Sequence, residues 1–190
     1  MLPNALTILR ILLLPAWLAL AVSERSRALD GAEVHRLPLL ALMLIIGATD
    51  LFDGILARRF HQTTNVGATL DAVADKLATF GAVTFLAFFA GPAFTPLPLW
   101  LWVALIGRDL LLGAGYITVW LRHRAVHVEH RWHGRVATFL LFVVVVTAFL
   151  SAPRLPVTLG ALVIVALVVP GTWEYMREGW RQLHLRPGDS

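Results

Sequence analysis

Leu37-Pro-Leu-Leu-Ala-Leu-Met-Leu-Ile-Ile-Gly-Ala-Thr-Asp50-Leu-Phe-Asp53-Gly54-Ile-Leu-Ala57 is a run of 21 residues whose only charged side chains are two aspartates. About 20 mostly apolar residues suffice for a helix to cross the hydrocarbon of a bilayer. A second such run, Leu70–Ala90, follows a short segment carrying Arg58, Arg59 and His61, and it contains Asp71, Asp75 and Lys76. Two apolar spans joined so closely must double back, so the stretch reads as a helical hairpin in a membrane.

Four more apolar runs flank this hairpin, at Ile8–Val22, Leu97–Leu121, Val136–Leu150 and Leu155–Val169. Composition agrees: of 190 residues 58% are apolar and 15% charged, against about 45–50% and about 25% in soluble domains. That polar cover is too thin for a water-soluble globule, and the apolar content excludes a disordered chain. There is no cysteine, which excludes disulfides, thiolate metal sites and a Cys nucleophile. Pro3 to Arg10 mixes polar residues with leucines at helical spacing, as a short helix lying in the interface does. With Arg10 inside the first run and no basic stretch ahead of it, residues 1–22 read as retained and not as a cleaved signal. The fold class is therefore an all-α integral membrane protein of six transmembrane helices preceded by a short amphipathic interfacial segment, a single domain over residues 1–190.

The formal net charge is +4, and of 16 basic residues only Lys76 is lysine. The arginines lie between apolar runs and form no block, a pattern that sets membrane orientation and argues against nucleic acid. Arg58 and Arg59, then Arg122, Arg124, Arg131 and Arg135, then Arg177, Arg181 and Arg186 mark one side, placing both termini and the 58–65 loop in the cytoplasm. The Ser23–Arg36 loop dissents, with Arg25, Arg27 and Arg36 on the opposite side.

Carboxylates inside a bilayer cost about 2.5–3.5 kcal/mol each on the mildest scale, so Asp50, Asp53, Asp71 and Asp75 need a reason. Spacings of three and four residues put each pair on one helical face, and the hairpin brings both pairs to one cytoplasmic depth. Four carboxylates facing one another repel unless protonated or met by cations. An all-oxygen donor set selects hard ions such as Mg²⁺, Mn²⁺ or Ca²⁺; two divalent ions would balance the formal charge and would suit phosphoryl transfer. Two alternatives stand beside this: buried acids paired with Arg58, Arg59 and Lys76, or a cation path in a transporter. Gly54, Ala57 and Gly67 remove bulk beside the acids, as close helix packing or a bound diphosphate would require, and Arg58 at the membrane edge suits a phosphate clamp.

Read whole, Asp50-x₂-Asp53-Gly54-x₂-Ala57-Arg58-x₈-Gly67-x₃-Asp71-x₃-Asp75 resembles the signature of the CDP-alcohol phosphatidyltransferases at every fixed position. The opening Pro3-Asn4-x-Leu6-Thr7-x-x-Arg10 is likewise similar. The resemblance implies transfer of the phosphatidyl group of CDP-diacylglycerol to an alcohol with release of CMP. It implies Asp50, Asp53, Asp71 and Asp75 as ligands of two Mg²⁺ ions, with Mn²⁺ as the alternative ion, and Asp75 as general base as well. Gly54, Arg58 and Thr64 match positions that contact the CDP moiety, with Asn4 and Thr7 assisting. A homodimer in the cell membrane, multi-pass and with its active site facing the cytoplasm, is also implied.

The acceptor is read from other polar residues. Arg108-Asp109 lies deep in the fourth run, where Arg108 would grip an anionic alcohol; a purely structural pair is the alternative. His133-Gly134-Arg135-x-x-Thr138 resembles a Gly-Lys-x-x-Thr segment of synthases that use glycerol 3-phosphate, with Arg135 in place of lysine and hence a different donor geometry. The Asp50-to-Lys76 stretch also looks most like those synthases, and sn-glycerol 3-phosphate is the first choice of acceptor. Arg-Asp in the fourth run looks like cardiolipin synthases, where phosphatidylglycerol is the acceptor. His123, His127, His130 and His133 read as a basic loop on anionic lipid more than as a zinc site. Trp100, Trp102, Trp120, Trp173 and Trp180 read as interfacial anchors, and Arg177, Arg181 and Arg186 as a basic tail helix along the surface.

Overall fold

The computed structural model describes residues 2–60, 65–123 and 132–184, with side chains described outside 1–8, 50–72, 116, 119–135, 178–179 and 181–190. Its described residues form helices and turns, with six helices: α1 (Leu2–Leu29), α2 (Arg36–Phe60), α3 (Asn65–Phe88), α4 (Leu99–His123), α5 (Trp132–Phe149) and α6 (Arg154–His184). A helix covers most of each of the six apolar runs, and most helices extend beyond the run at one end or both. The interfacial segment expected ahead of the first span is no separate element: α1 continues unbroken from Leu2. The basic tail is likewise the continuation of α6, which passes through Pro170. Among the described residues Arg154–Arg177 is long and apolar enough to cross a membrane, while Arg36–Thr49 and Val136–Phe149 are shorter apolar helical stretches.

The chain packs as two units, one of residues Met1–Pro96 with Val145–Ala152, the other of Leu97–Val144 with Pro153–Ser190. In the first, α1 packs against both α2 and α3. Two helices separated by only residues 61–64 can both lie along a third only by reversing direction, so α2 and α3 are antiparallel and α3 runs parallel to α1. The buried stripe of α1 is Arg10, Trp17, Ala21 and Glu24, at the three-, four- and seven-residue intervals of one helical face. The core is aromatic and centres on Phe149. Trp17 meets its ring edge-on at 5.2 Å, Phe94 does so at 5.0 Å, and Phe85 stacks on it at 6.1 Å.

Two helices in this unit end in the same cap. Ala32 N–H donates to the Arg27 carbonyl and Gly31 N–H to that of Ala28, with Gly31 left-handed at φ 75°; glycine is the residue that adopts this geometry without steric cost. At the end of α5, Ala152 N–H reaches Thr147 and Ser151 N–H reaches Ala148 in the same pattern. Here the left-handed position is held by Ser151, φ 57°.

The dissenting arginines are explained by these turns. Arg36 Nε donates to Ser151 Oγ at 3.0 Å and its Nη2 to the Ala93 carbonyl at 3.4 Å. Arg27 Nε donates to the Glu33 carbonyl at 3.3 Å and lies 3.8 Å from the buried Glu24 carboxylate, which also accepts the His35 backbone N–H at 2.7 Å. The Arg25 guanidinium sits 5.9 Å from the centre of the Phe89 ring. All three cations are engaged in folding contacts, a use that charge counting along a sequence does not separate from orientation.

In the second unit α4 packs on α6, and α6 buries Val157, Ala161, Ile164 and Val168 at heptad-like spacing. Gly160 faces α5 so closely that a Cβ there would stand 2.5 Å from Val144 Cγ2. Every helix also exposes large apolar side chains, among them Leu12, Leu37, Leu77, Leu110, Phe139 and Leu155. Apolar exposure on this scale is foreign to a surface bathed in water.

Candidate active site

The first unit carries Asp50, Asp53, Gly54 and Arg58 in the C-terminal half of α2, Asp71 and Asp75 in the N-terminal half of α3, and Asn4 and Thr7 in the first two turns of α1. Thr64 lies outside the described residues, as do His127 and His130. Depth along the unit can be read from two contacts to α1. Arg25 meets Phe89; Arg10 and Ala74 each lie fifteen residues before that contact on parallel helices, so they stand at one level. Glu24 meets the backbone of His35; counting fourteen residues back along α1 and forward along antiparallel α2 brings Arg10 level with Thr49.

Positions 50 and 53 thus lie within about one helical turn (~6 Å at 1.5 Å per residue) of the Arg10 level, and so do positions 71 and 75. By this count the backbone positions of both aspartate pairs fall at one level along α1. Position 71 shares the face of α3 that buries Ala82 and Phe85 in later turns, and Ala74 beside it is wholly buried. Asp75, one turn on, is exposed, which is the access a base acting on an incoming hydroxyl requires. Aspartate is the residue type at these positions, and carboxylate oxygens are the donors that hard divalent cations prefer, so the residue types fit such ions. Among the described residues no group of three or more His, Asp or Glu side chains gathers.

Arg108 and Arg135 belong to the second unit, on α4 and in the first turn of α5. Arg108 Nη1 lies 3.9 Å from Asp109 Oδ1, with the side chains 26% and 37% exposed. The contact is a loose one, because neighbours in a helix point about 100° apart and do not face each other. Such a contact leaves most of a guanidinium's five donors for a ligand. Trp100, Trp173 and Trp180 are exposed.

Sequence reasoning missed Arg10 as a buried group. The signal was available: Arg10, Trp17, Ala21 and Glu24 share one face, and a stripe that buries tryptophan seven residues later buries the arginine too.

Comparison with known proteins bears on the chemistry. Residues 1–173 match the family described as CDP-alcohol phosphatidyltransferase, a match that runs through both units. A Pseudomonas fluorescens protein named CDP-diacylglycerol–glycerol-3-phosphate 3-phosphatidyltransferase is 31% identical over 95% of this chain and 91% of its own length. Proteins of the same name from Aquifex aeolicus (32% identical, 73% and 70% covered) and Bacillus subtilis (29%, 96% and 96%) are also similar.

Proposed function

Because the chain belongs to the CDP-alcohol phosphatidyltransferase family, we propose that it transfers the phosphatidyl group of CDP-diacylglycerol to sn-glycerol 3-phosphate, forming phosphatidylglycerophosphate and releasing CMP. The observation that carries the reading is the common depth of four aspartates on two antiparallel helices. The acceptor named for the relatives supports glycerol 3-phosphate over phosphatidylglycerol. Carboxylates held at a single depth argue against a transporter, whose acids would be spread along a path through the bilayer.

Asp50, Asp53, Asp71 and Asp75 would hold two Mg²⁺ ions, with Mn²⁺ as a substitute. Bound there, divalent ions supply electrophilic stabilisation to a diphosphate and to the departing CMP oxyanion. Gly54, which adds no side-chain bulk, admits the diphosphate, and Arg58 clamps a phosphate oxygen pair, with Asn4, Thr7 and Thr64 donating to the CDP moiety. Asp75 accepts the proton of the acceptor hydroxyl as that oxygen bonds to the lipid-side phosphorus and the bond from this phosphorus to the CMP oxygen breaks. Arg108 and Arg135 engage the acceptor phosphate.

The lipid substrate and the apolar exterior of all six helices support a multi-pass protein of the cell membrane, with its catalytic end in the cytoplasm, acting as a homodimer. Purified protein given CDP-diacylglycerol, Mg²⁺ and glycerol 3-phosphate is expected to release CMP stoichiometrically with product. A panel of glycerol 3-phosphate, phosphatidylglycerol, inositol phosphate and serine with no CMP released in any case refutes the activity; CMP with phosphatidylglycerol alone replaces the acceptor.

A further inference from the structure

The packed side of α3 is covered along its later turns, where Ala82, Val83 and Leu86 are buried. A step of seven residues returns a helix nearly to its starting direction, so Asp75 and Lys76 lie on the same side as Ala82 and Val83. Both are nevertheless exposed. Ala74 beside them is wholly buried, so α3 still lies against its unit at this level. The apolar exterior of the helix is a different side: Val73, Leu77, Phe80 and Phe88 are exposed at intervals of four, three and eight residues. Lys76 thus stands with Asp75 where the packed side of α3 opens, and not among the side chains that meet lipid. It is the one lysine among 16 basic residues, and a charged side chain within a membrane helix is costly enough to mark a path for substrate or ion.

We propose that Lys76 binds the phosphate of the acceptor alcohol, so that α3 supplies both the base for the acceptor hydroxyl and the cation for its anionic end. The proposal rests on the transfer to glycerol 3-phosphate proposed above and names a residue of the first unit that selects a phosphorylated alcohol. Consecutive helical residues point about 100° apart, so Asp75 and Lys76 serve different points of the opening, as the reacting hydroxyl and the phosphate of the acceptor require. Charge balance calls for a cation there. Two divalent ions would balance the four aspartates, and the phosphate of the acceptor then brings about −1.5 to −2 more. Lysine suits this place better than arginine. A guanidinium fork pairs bidentately with carboxylates and would compete for the oxygens of neighbouring aspartates, whereas an ammonium is a compact point charge on a flexible stem.

The test is CMP release by the full-length protein in detergent micelles containing CDP-diacylglycerol and Mg²⁺, with glycerol 3-phosphate varied. Lys76→Met raises KM for glycerol 3-phosphate about 10–100-fold, the worth of one charge-assisted contact. KM for CDP-diacylglycerol and the Mg²⁺ concentration for half-maximal rate move far less. Lys76→Gln is the second neutral variant where the methionine form does not fold, and Lys76→Arg, which keeps the charge, recovers most of the acceptor affinity. An unchanged KM for glycerol 3-phosphate in a neutral variant overturns the role of Lys76 while leaving the activity standing. So does an effect on the Mg²⁺ or CDP-diacylglycerol requirement as large as that on the acceptor, which would make Lys76 a counter-charge to the aspartates. A folded neutral variant with no turnover at any acceptor concentration overturns it as well. Wild type that releases no CMP with glycerol 3-phosphate overturns the proposed transfer and this proposal with it.

Discussion

Arg36 Nε donates to Ser151 Oγ at 3.0 Å across 115 positions of sequence, and Ser151 Oγ donates in turn to the Ala93 carbonyl at 2.9 Å. The first residue of α2 and the segments after α3 and after α5 are tied at this one point. Thr95 adds to the clasp through its Oγ, which donates to the Ala152 carbonyl at 2.6 Å.

Ser151 combines those bonds with a left-handed backbone, which gives an ordering among variants. Ser151→Ala loses both side-chain bonds and keeps the unfavourable φ, an expected loss of about 1–3 kcal/mol. Ser151→Gly loses the same bonds but sheds about 1 kcal/mol of left-handed strain, so it should melt between wild type and the alanine variant. A glycine variant melting below the alanine variant contradicts this account.

Trp17 is 3% exposed, packs on Phe149, and its indole N–H has no hydrogen-bond partner among the described residues. Trp17→Phe should therefore cost less than about 1.5 kcal/mol. Trp17→Ala should cost about 3–5 kcal/mol. Denaturation in mixed micelles distinguishes the two; equal losses would show that the N–H matters after all.

Gly160 lies against Val144 on α5, and a valine in a helix has one favoured rotamer, so it cannot swing aside. Gly160→Ala should destabilise by about 1–3 kcal/mol, and Val144→Ala in the same chain should recover most of it. Additive losses in the double-mutant cycle would mean that the close approach is not what glycine serves here.

Asp75→Asn removes the proposed base while leaving an isosteric side chain. CMP release should fall by about 10²–10⁴ or more, through loss of the base and of one proposed metal ligand. EDTA should abolish turnover in wild type, and added Mg²⁺ should restore it. Activity of the asparagine variant within threefold of wild type would remove Asp75 from the proton transfer.

Arg108→Ala should raise KM for glycerol 3-phosphate by at least about tenfold, the worth of one charge-assisted contact of about 1.5–3 kcal/mol, and leave KM for CDP-diacylglycerol unaltered. The reverse pattern would return Arg108 to a structural pairing with Asp109.

Much of the helical framework was legible from apolar run lengths, since a segment that satisfies its backbone in lipid has few options besides a helix. Ends were less legible. Residues 2–10 and 170–184 continue α1 and α6 where polarity suggested separate surface pieces, because a formed helix extends at little cost once nucleated. The aspartate spacings, a local property, carried over intact. The meaning of Arg25, Arg27 and Arg36 did not, since the partners that engage Arg25 and Arg36 are distant in sequence.

The sequence by itself determined the helices, the paired aspartates and the family, because helical periodicity and motif spacing are written in consecutive residues. Only the tertiary structure decided that Arg10 is buried at the depth of the acids and that Phe149 closes the core around Trp17. Both are set by how α1 is packed against other segments. Burial of a charge is decided by which helices surround it, and no stretch of consecutive residues contains that information.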